Sequence, residues 1–302
     1  MLNKIIVPLD ASRLAEQMVP YAGALAKALD IPIELLYAVD PETLRVTREE
    51  EERGSFVDTL EDNIQSWAQT YLQGVAGRLN NLGVRTQVKV TIGTPEQVIV
   101  EAAGRNGEDL VAMATHGRTG LPRLILGSVA EKVLHLGHMP LLLLHPLSPL
   151  APPARAPKTL ILPLNFPSAE EALPLGGFLA RKLGTKVLLM RVLRPYALRI
   201  PQVVPVAPGA VEAPPGVAEA GARAYLEEQV HSPHMVQIDA EGIVVSGDSG
   251  EELMKLAAET GDALVVMATH ARAGVARLLL GSVADRVVRG LGAPVLVLRP
   301  GS

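Results

Sequence analysis

Two stretches of this 302-residue chain carry residue types that let a backbone approach a phosphate. Residues 113–133 read MATHGRTGLPRLILGSVAEKV, and residues 267–287 read MATHARAGVARLLLGSVADRV. In both, Met-Ala-Thr-His follows an apolar run, Asp109 to Met113 or Asp262 to Met267, and a Gly-Ser pair, Gly127-Ser128 or Gly281-Ser282, opens a helical pattern. Small residues between a strand and a helix expose backbone N–H groups at a helix N-terminus, where negative charge is favoured. Amides after Gly117 and Gly127, with the Ser128 hydroxyl, would receive phosphates, and His116, Arg118 and Arg123 would add charge. Pro8-Leu9-Asp10 follows the first apolar run and Tyr37-Ala38-Val39 ends the second. Asp10 there can accept a hydrogen bond from a ribose hydroxyl. The chemistry these residues suggest is nucleotide binding.

Other chemistries leave no trace in the residues. No GxxxxGK-S/T run occurs, so the phosphate grip is not that of a P-loop. The chain has no cysteine, which excludes disulfides and thiolate catalysis. No serine nucleophile elbow is present. His135 and His138 lie at helical spacing without a third ligand and read as surface or packing residues, so no metal site is expected. No second carboxylate is read beside Asp10, and no residue is assigned a catalytic role. The competing reading of Asp10 is a helix cap, and that of His116 and His270 is a structural hydrogen bond.

The elements that must position these residues repeat. His116 aligns with His270, Pro140 with Pro294 and Pro8 with Pro163, a period of roughly 150 residues, which indicates a duplicated domain rather than a solenoid. The expected domains are 1–146 and 158–302, joined by a proline- and alanine-rich linker at 147–157. In the first, strands are expected at Leu2 to Leu9, Ile31 to Val39, Val84 to Ile92, Asp109 to Ala114 and Pro140 to Leu144. Helices are expected from Arg13 to Leu29, with Ser12 as cap, Glu16 completing a capping box and Pro20 a possible kink, and from Phe56 to Leu82. The latter presents Leu60, Ile64, Trp67, Tyr71 and Leu72 near one face. Two more start at Thr94-Pro95 and at Ser128. The second domain repeats the pattern, with a helix from Ser168 to Leu183, a strand around Val236 to Val245, and Pro195 to Gly216 as a lid or loop. Alternating strands and helices, with strands apolar on both faces, give α/β domains with parallel doubly wound sheets. A net charge of −4 and the lack of a basic face argue against nucleic acid as a partner. No apolar run reaches membrane-spanning length and the amino terminus does not read as a signal peptide, so a cytoplasmic location is expected.

The signature resembles that of the universal stress proteins, here as a tandem of two domains. The family's pattern is G-x2-G-x9-G-S/T; this chain offers Ala114, Gly117, Gly127 and Ser128, then Ala268, Ala271, Gly281 and Ser282. The resemblance implies a five-stranded Rossmann-like domain of strand order 3-2-1-4-5, with fifth strands pairing between domains. It also implies an ATP site, with or without Mg²⁺. Adenine and ribose would be held by Pro8, Leu9, Asp10 and Ala38, with Met113, Ala114, His116, Gly117 and Arg118 lining the crevice, and Gly127, Ser128, Val129 and Ala130 at the phosphates. The counterparts are Pro163, Leu164, Asn165, Val192, Met267, Ala268, His270, Ala271, Gly281, Ser282, Val283 and Ala284. Asn165 in place of Asp and Ala271 in place of Gly make the first site the stronger expectation. The implied function is a nucleotide-responsive stress or signalling module, with a slow ATPase or a nucleotide-independent scaffold as alternatives. A homodimer of tandem chains is a further expectation, argued from the apolar fifth strands.

Overall fold

The computed structural model describes residues 2–42, 57–104, 106–115, 127–145, 156–194, 215–269 and 280–299. Among these residues ten strands form a single sheet. In the first half these are β1 (Lys4–Pro8), β2 (Ile33–Val39), β3 (Thr86–Ile92), β4 (Asp109–Ala114) and β5 (Leu141–Leu144). In the second they are β6 (Thr159–Pro163), β7 (Lys186–Leu193), β8 (Ala240–Ser246), β9 (Ala263–Ala268) and β10 (Val295–Leu298). The order is β3-β2-β1-β4-β5-β10-β9-β6-β7-β8. Each half has the expected order 3-2-1-4-5 with parallel pairing, and the halves meet where β5 and β10 pair antiparallel, Leu142 opposite Leu296.

That junction consumes the strand edges on which the dimer expectation rested. A second chain cannot pair with β5 or β10 without first breaking their mutual ladder. The outermost strands are instead β3 and β8. In β3 partly buried and exposed residues alternate over most of its length, as befits a strand at the rim of a sheet.

The central strands are apolar on both faces because helices cover both. Ile5, Ile6 and Val7 are all fully buried in consecutive positions of β1, the pattern of a parallel strand between two helical layers. Along β5, Leu142 and Leu144 join one core while Leu141 and Leu143 join the other, since successive side chains of a strand point to opposite faces. Both cores draw side chains from both halves. Across the seam, Arg299 donates a hydrogen bond to the His135 carbonyl in the last turn of the helix Ser128–Leu136.

Three expectations about the helices are corrected. The helix after β1 is broken at Gln17, into Arg13–Glu16 and Met18–Leu29. Pro20 has no N–H for the Glu16 carbonyl and its ring crowds that carbonyl. The second half repeats the break as a 3-10 turn, Pro167–Ala172, before the helix Leu173–Leu183, with Pro174 in its first turn. Ser12 does cap, accepting from the Ala15 N–H at 3.1 Å. Glu16, four positions after the cap, forms no capping box; its carboxylate accepts from the Tyr71 hydroxyl at 2.9 Å and from Arg78 at 2.7 Å. The helix Val57–Asn81 turns Ala68, Leu72, Val75 and Leu79 to the core, while Trp67 stays 51% exposed and stacks on Tyr71. A strand around Val236 begins only at Ala240, because a 3-10 turn at Pro233–Met235 and a positive φ at Gln237 come first. Of the loop expected at Pro195 to Gly216, Pro215 and Gly216 instead open the helix Pro215–Val230; residues 195–214 and, of the linker, residues 147–155 lie outside the described residues.

Candidate functional site

In a 3-2-1-4-5 sheet the winding reverses between β1 and β4, and the crevice beyond the carboxyl ends of those strands is where such folds take ligands. A cavity of about 410 Å³ lies there in the first half, within the range of roughly 300–1,000 Å³ usual for small-molecule sites.

Its first wall is the end of β1. Pro8 closes the strand, and the Leu9 N–H still reaches across to the Leu36 carbonyl at 2.9 Å. The chain then turns sharply. Asp10 Oδ1 accepts from the Ser12 N–H at 2.9 Å, and Ala11 between them takes a left-handed φ of 63°. Side-chain acceptance two residues on is the habit of Asp in turns. Asp10 thus holds the turn into the helix and also lines the cavity, so its structural and ligand-facing readings coexist.

The second wall is the end of β2, with Leu36, Tyr37, Ala38, Val39 and Asp40. Tyr37 is buried among aromatic rings, edge-on to Trp67 at 5.9 Å and to Tyr71 at 6.5 Å. Ile64, Pro95 and Ile99 complete an apolar lining. Asp40 stands immediately beyond the strand, its Oδ1 accepting from the Glu42 N–H at 2.9 Å.

The third wall comes from β4 and the helix after it. Met113 and Ala114 end the strand, and the Thr115 N–H donates to the Leu144 carbonyl at 2.8 Å. The Thr115 hydroxyl lies 3.0 Å from His145 Nδ1. The Gly127 N–H returns to the Thr115 carbonyl at 2.5 Å, which pins the start of the helix Ser128–Leu136 against the end of β4. Gly127 is the helix N-cap and supplies no side-chain acceptor to the first-turn amides. Those amides and the helix dipole make this end of the cavity favourable for an anion. The helix is also tethered sideways, Lys132 Nζ to Glu96 Oε1 at 2.7 Å. Burial pushes the Glu96 carboxyl up, but the Lys132 hydrogen bond, a backbone hydrogen bond and the Lys132 charge outweigh it and leave it below its ordinary value.

Every described residue expected at the first site, namely Pro8, Leu9, Asp10, Ala38, Met113, Ala114 and Gly127 to Ala130, lines this one cavity. His116, Gly117, Arg118 and Arg123 lie outside the described residues. The sequence reading missed Thr115, Ile64, Ile99 and above all Asp40. It saw no second carboxylate near Asp10, yet Asp40 lines the same cavity. The signal was available: Asp40 comes directly after β2, as Leu9-Asp10 comes after β1.

The second half assembles the counterparts at the ends of β6, β7 and β9, but uses them differently. Leu164 N–H donates to the Met190 carbonyl at 2.7 Å, as Leu9 does to Leu36. Asn165, however, turns its Oδ1 onto the Val192 N–H at 2.7 Å. Registers Pro8 to Leu36 and Pro163 to Met190 make Val192 the counterpart of Ala38. Arg191 replaces Tyr37 and sits 4.4 Å from the Tyr225 ring centroid, and Arg194 replaces Asp40. Met267 and Ala268 are buried. Gly281 has a φ of 74° and already starts the helix Gly281–Gly290, which continues through Ser282, Val283 and Ala284. Leu280 before it is 4% exposed, in the same apolar cluster as Val192, Leu253 and Met267. His270 and Ala271 lie outside the described residues.

Comparison with known proteins gives this architecture its family. The family model described as "Universal stress protein family" matches residues 1–145 and again 157–299. A universal stress protein of Methanocaldococcus jannaschii is 32% identical over 140 residues, spanning 46% of this chain and 80% of that protein. One from Mycolicibacterium smegmatis is 24% identical over 305 residues, covering 98% and 97% of the two chains. The crystal structure of a universal stress protein from Archaeoglobus fulgidus covers 99% of both chains with a TM-score of 0.70 at 19% identity, a likeness of fold. With the family matched twice along one chain, this protein belongs to the universal stress protein family and carries two of its domains in tandem.

Proposed function

We propose that the cleft of the first domain binds an adenine nucleotide, ATP in the first instance, and that its occupancy governs the protein's interactions as a stress or signalling module. The observation that carries this is the single cavity that gathers Pro8 to Asp10, Ala38, Met113 to Thr115 and Gly127 to Ala130. Its chemistry is polarised in the way a nucleotide needs. First-turn helix amides lie at one end, a carboxylate suited to ribose hydroxyls stands in the middle, and apolar walls for a base lie at the other end. Among the described residues no group of three His, Cys, Asp or Glu side chains is placed to hold a metal ion. A Mg²⁺ ion would therefore arrive on the phosphates, where it would neutralise their charge. The second domain is not assigned a nucleotide: there Asn165 Oδ1 accepts from the Val192 N–H, and Leu280 before the helix is buried in the apolar cluster.

Calorimetry of the full chain with ATP and Mg²⁺ tests the reading. Micromolar binding is expected, weakened at least tenfold by Gly127→Val, whose side chain would project among the phosphate-facing amides. The Gly127 backbone, φ −60° and ψ 149°, is open to any residue, so folding should survive the change. Wild-type protein that binds no ATP refutes the proposal. A slow ATPase is the second reading; phosphate release indistinguishable from buffer removes it.

A further inference from the structure

We propose that Asp40 reads the exocyclic amine at position six of a purine, so that the first cleft selects adenine over bases carrying a carbonyl there. This rests on the nucleotide reading above and adds to it the residue that sets base specificity.

The sheet order supplies the geometry. β1 lies between β2 and β4, so Asp10 at the end of β1 stands between Asp40, just past β2, and the Gly127 to Ala130 amides beyond β4. Adjacent strands are about 4.8 Å apart, so these three stations are laid out across the sheet in a line. A nucleotide has the same linear order of base, sugar and phosphate. The phosphate end is fixed by charge: two carboxylates repel it from the β1 and β2 side, and helix amides attract it to the other. The base must then lie at the end of β2, among Leu36, Ile64 and Ile99.

At that end Asp40 is a carboxylate lining an otherwise apolar slot. Its orientation is held by the Glu42 N–H on Oδ1 at 2.9 Å. The nearby cation Lys132 is hydrogen-bonded to Glu96 at 2.7 Å, and no described ion pair joins it to Asp40. An ionised carboxylate only accepts hydrogen bonds. Adenine offers a donor amine at its six position, whereas guanine and hypoxanthine offer an acceptor oxygen. Two acceptors facing each other in a partly desolvated slot leave both unpaired, which penalises the six-oxo bases. In the second domain the same position is Arg194, a donor only, so the acceptor is peculiar to the first cleft.

The test compares ATP, ITP and purine riboside triphosphate, which lacks any group at position six, by calorimetry on the full chain. ATP is expected to bind about ten- to a hundredfold tighter than ITP, the range set by losing a charge-assisted hydrogen bond. In Asp40→Asn the side chain keeps an oxygen for the Glu42 N–H and gains a donor. The ATP to ITP ratio should then fall to about twofold or less, and because both ligands are measured on one protein the ratio is insensitive to any loss of folded material. Equal affinity of the wild type for ATP and ITP, or an Asp40→Asn ratio unchanged from wild type, overturns the role of Asp40 and leaves the nucleotide site standing. Failure of all three to bind overturns the nucleotide reading, and this inference with it.

Discussion

Replacing Asn165 by alanine isolates the difference between the two domains. Asn165 Oδ1 accepts from the Val192 N–H at 2.7 Å, and Val192 is only 8% exposed. Removing the acceptor leaves a largely buried amide without its partner, a loss of about 1–3 kcal/mol. Asn165→Asp keeps an oxygen in place and should cost well under 1 kcal/mol, on the order of a tolerated surface change. Urea unfolding followed by far-ultraviolet circular dichroism measures both. Amide hydrogen exchange at Val192 should accelerate in the alanine variant and not in the aspartate one. Nucleotide stoichiometry belongs to the same argument: with the Val192 amide already satisfied and Leu280 buried in the same apolar cluster, wild-type protein should bind one ATP per chain. A stability loss below about 0.5 kcal/mol in Asn165→Ala, with unchanged exchange at Val192, refutes the self-capping; a stoichiometry of two refutes its consequence.

Two other outcomes follow from the geometry. A Cβ added at Gly177 would lie 2.1 Å from the His234 carbonyl oxygen, a backbone atom, so Gly177→Ala should lower stability by about 2 kcal/mol or more and reduce the thermal midpoint; an unchanged midpoint would show that the 3-10 turn at Pro233–Met235 gives way freely. In acid, both domains should loosen together. Glu96 and Asp248 are each held below their ordinary values of 4.5 and 3.8. For Asp248 burial acts upward and is outweighed by the Glu251 and Gly250 N–H groups and by Arg286. A carboxyl whose folded value is depressed stabilises the fold above its unfolded value, and that contribution is lost as pH falls through the folded one. Thermal midpoints should therefore decline as pH drops below about 4.5, and the double variant Glu96→Gln, Asp248→Asn should show a shallower decline; identical acid profiles would contradict the assignment.

Much of this protein is determined locally. The apolar runs at Ile5 to Val7 and Leu110 to Met113 specify strands because only a sheet covered on both sides buries successive side chains. The repeat of Gly127-Ser128 as Gly281-Ser282 marks the same strand-to-helix passage twice. Ser12, Gly104 and Gly184 carry the end of an element in their own chemistry. Pro20 announced its helix break in the same way, though not the residue at which the helix would divide.

The remainder depends on residues distant in sequence. Nothing in LLLL at 141–144 or VLVL at 295–298 says that the partner is the other run rather than a second chain; the antiparallel ladder decides it by using both edges. Asp40 takes no role from its neighbours in sequence; it gains one only where the ends of β1, β2 and β4 are brought to one cavity. Asp10 and Asn165 read as near equivalents, one charge apart. One accepts from the turn that follows it and lines an open cleft, while the other reaches across to β7 and takes the amide for itself. The sequence determined the elements and the repeated turn, because periodicity and capping act over a few residues. How each copy uses the side chain after its first strand was left to tertiary structure, because it turns on where one side-chain oxygen finds its donor.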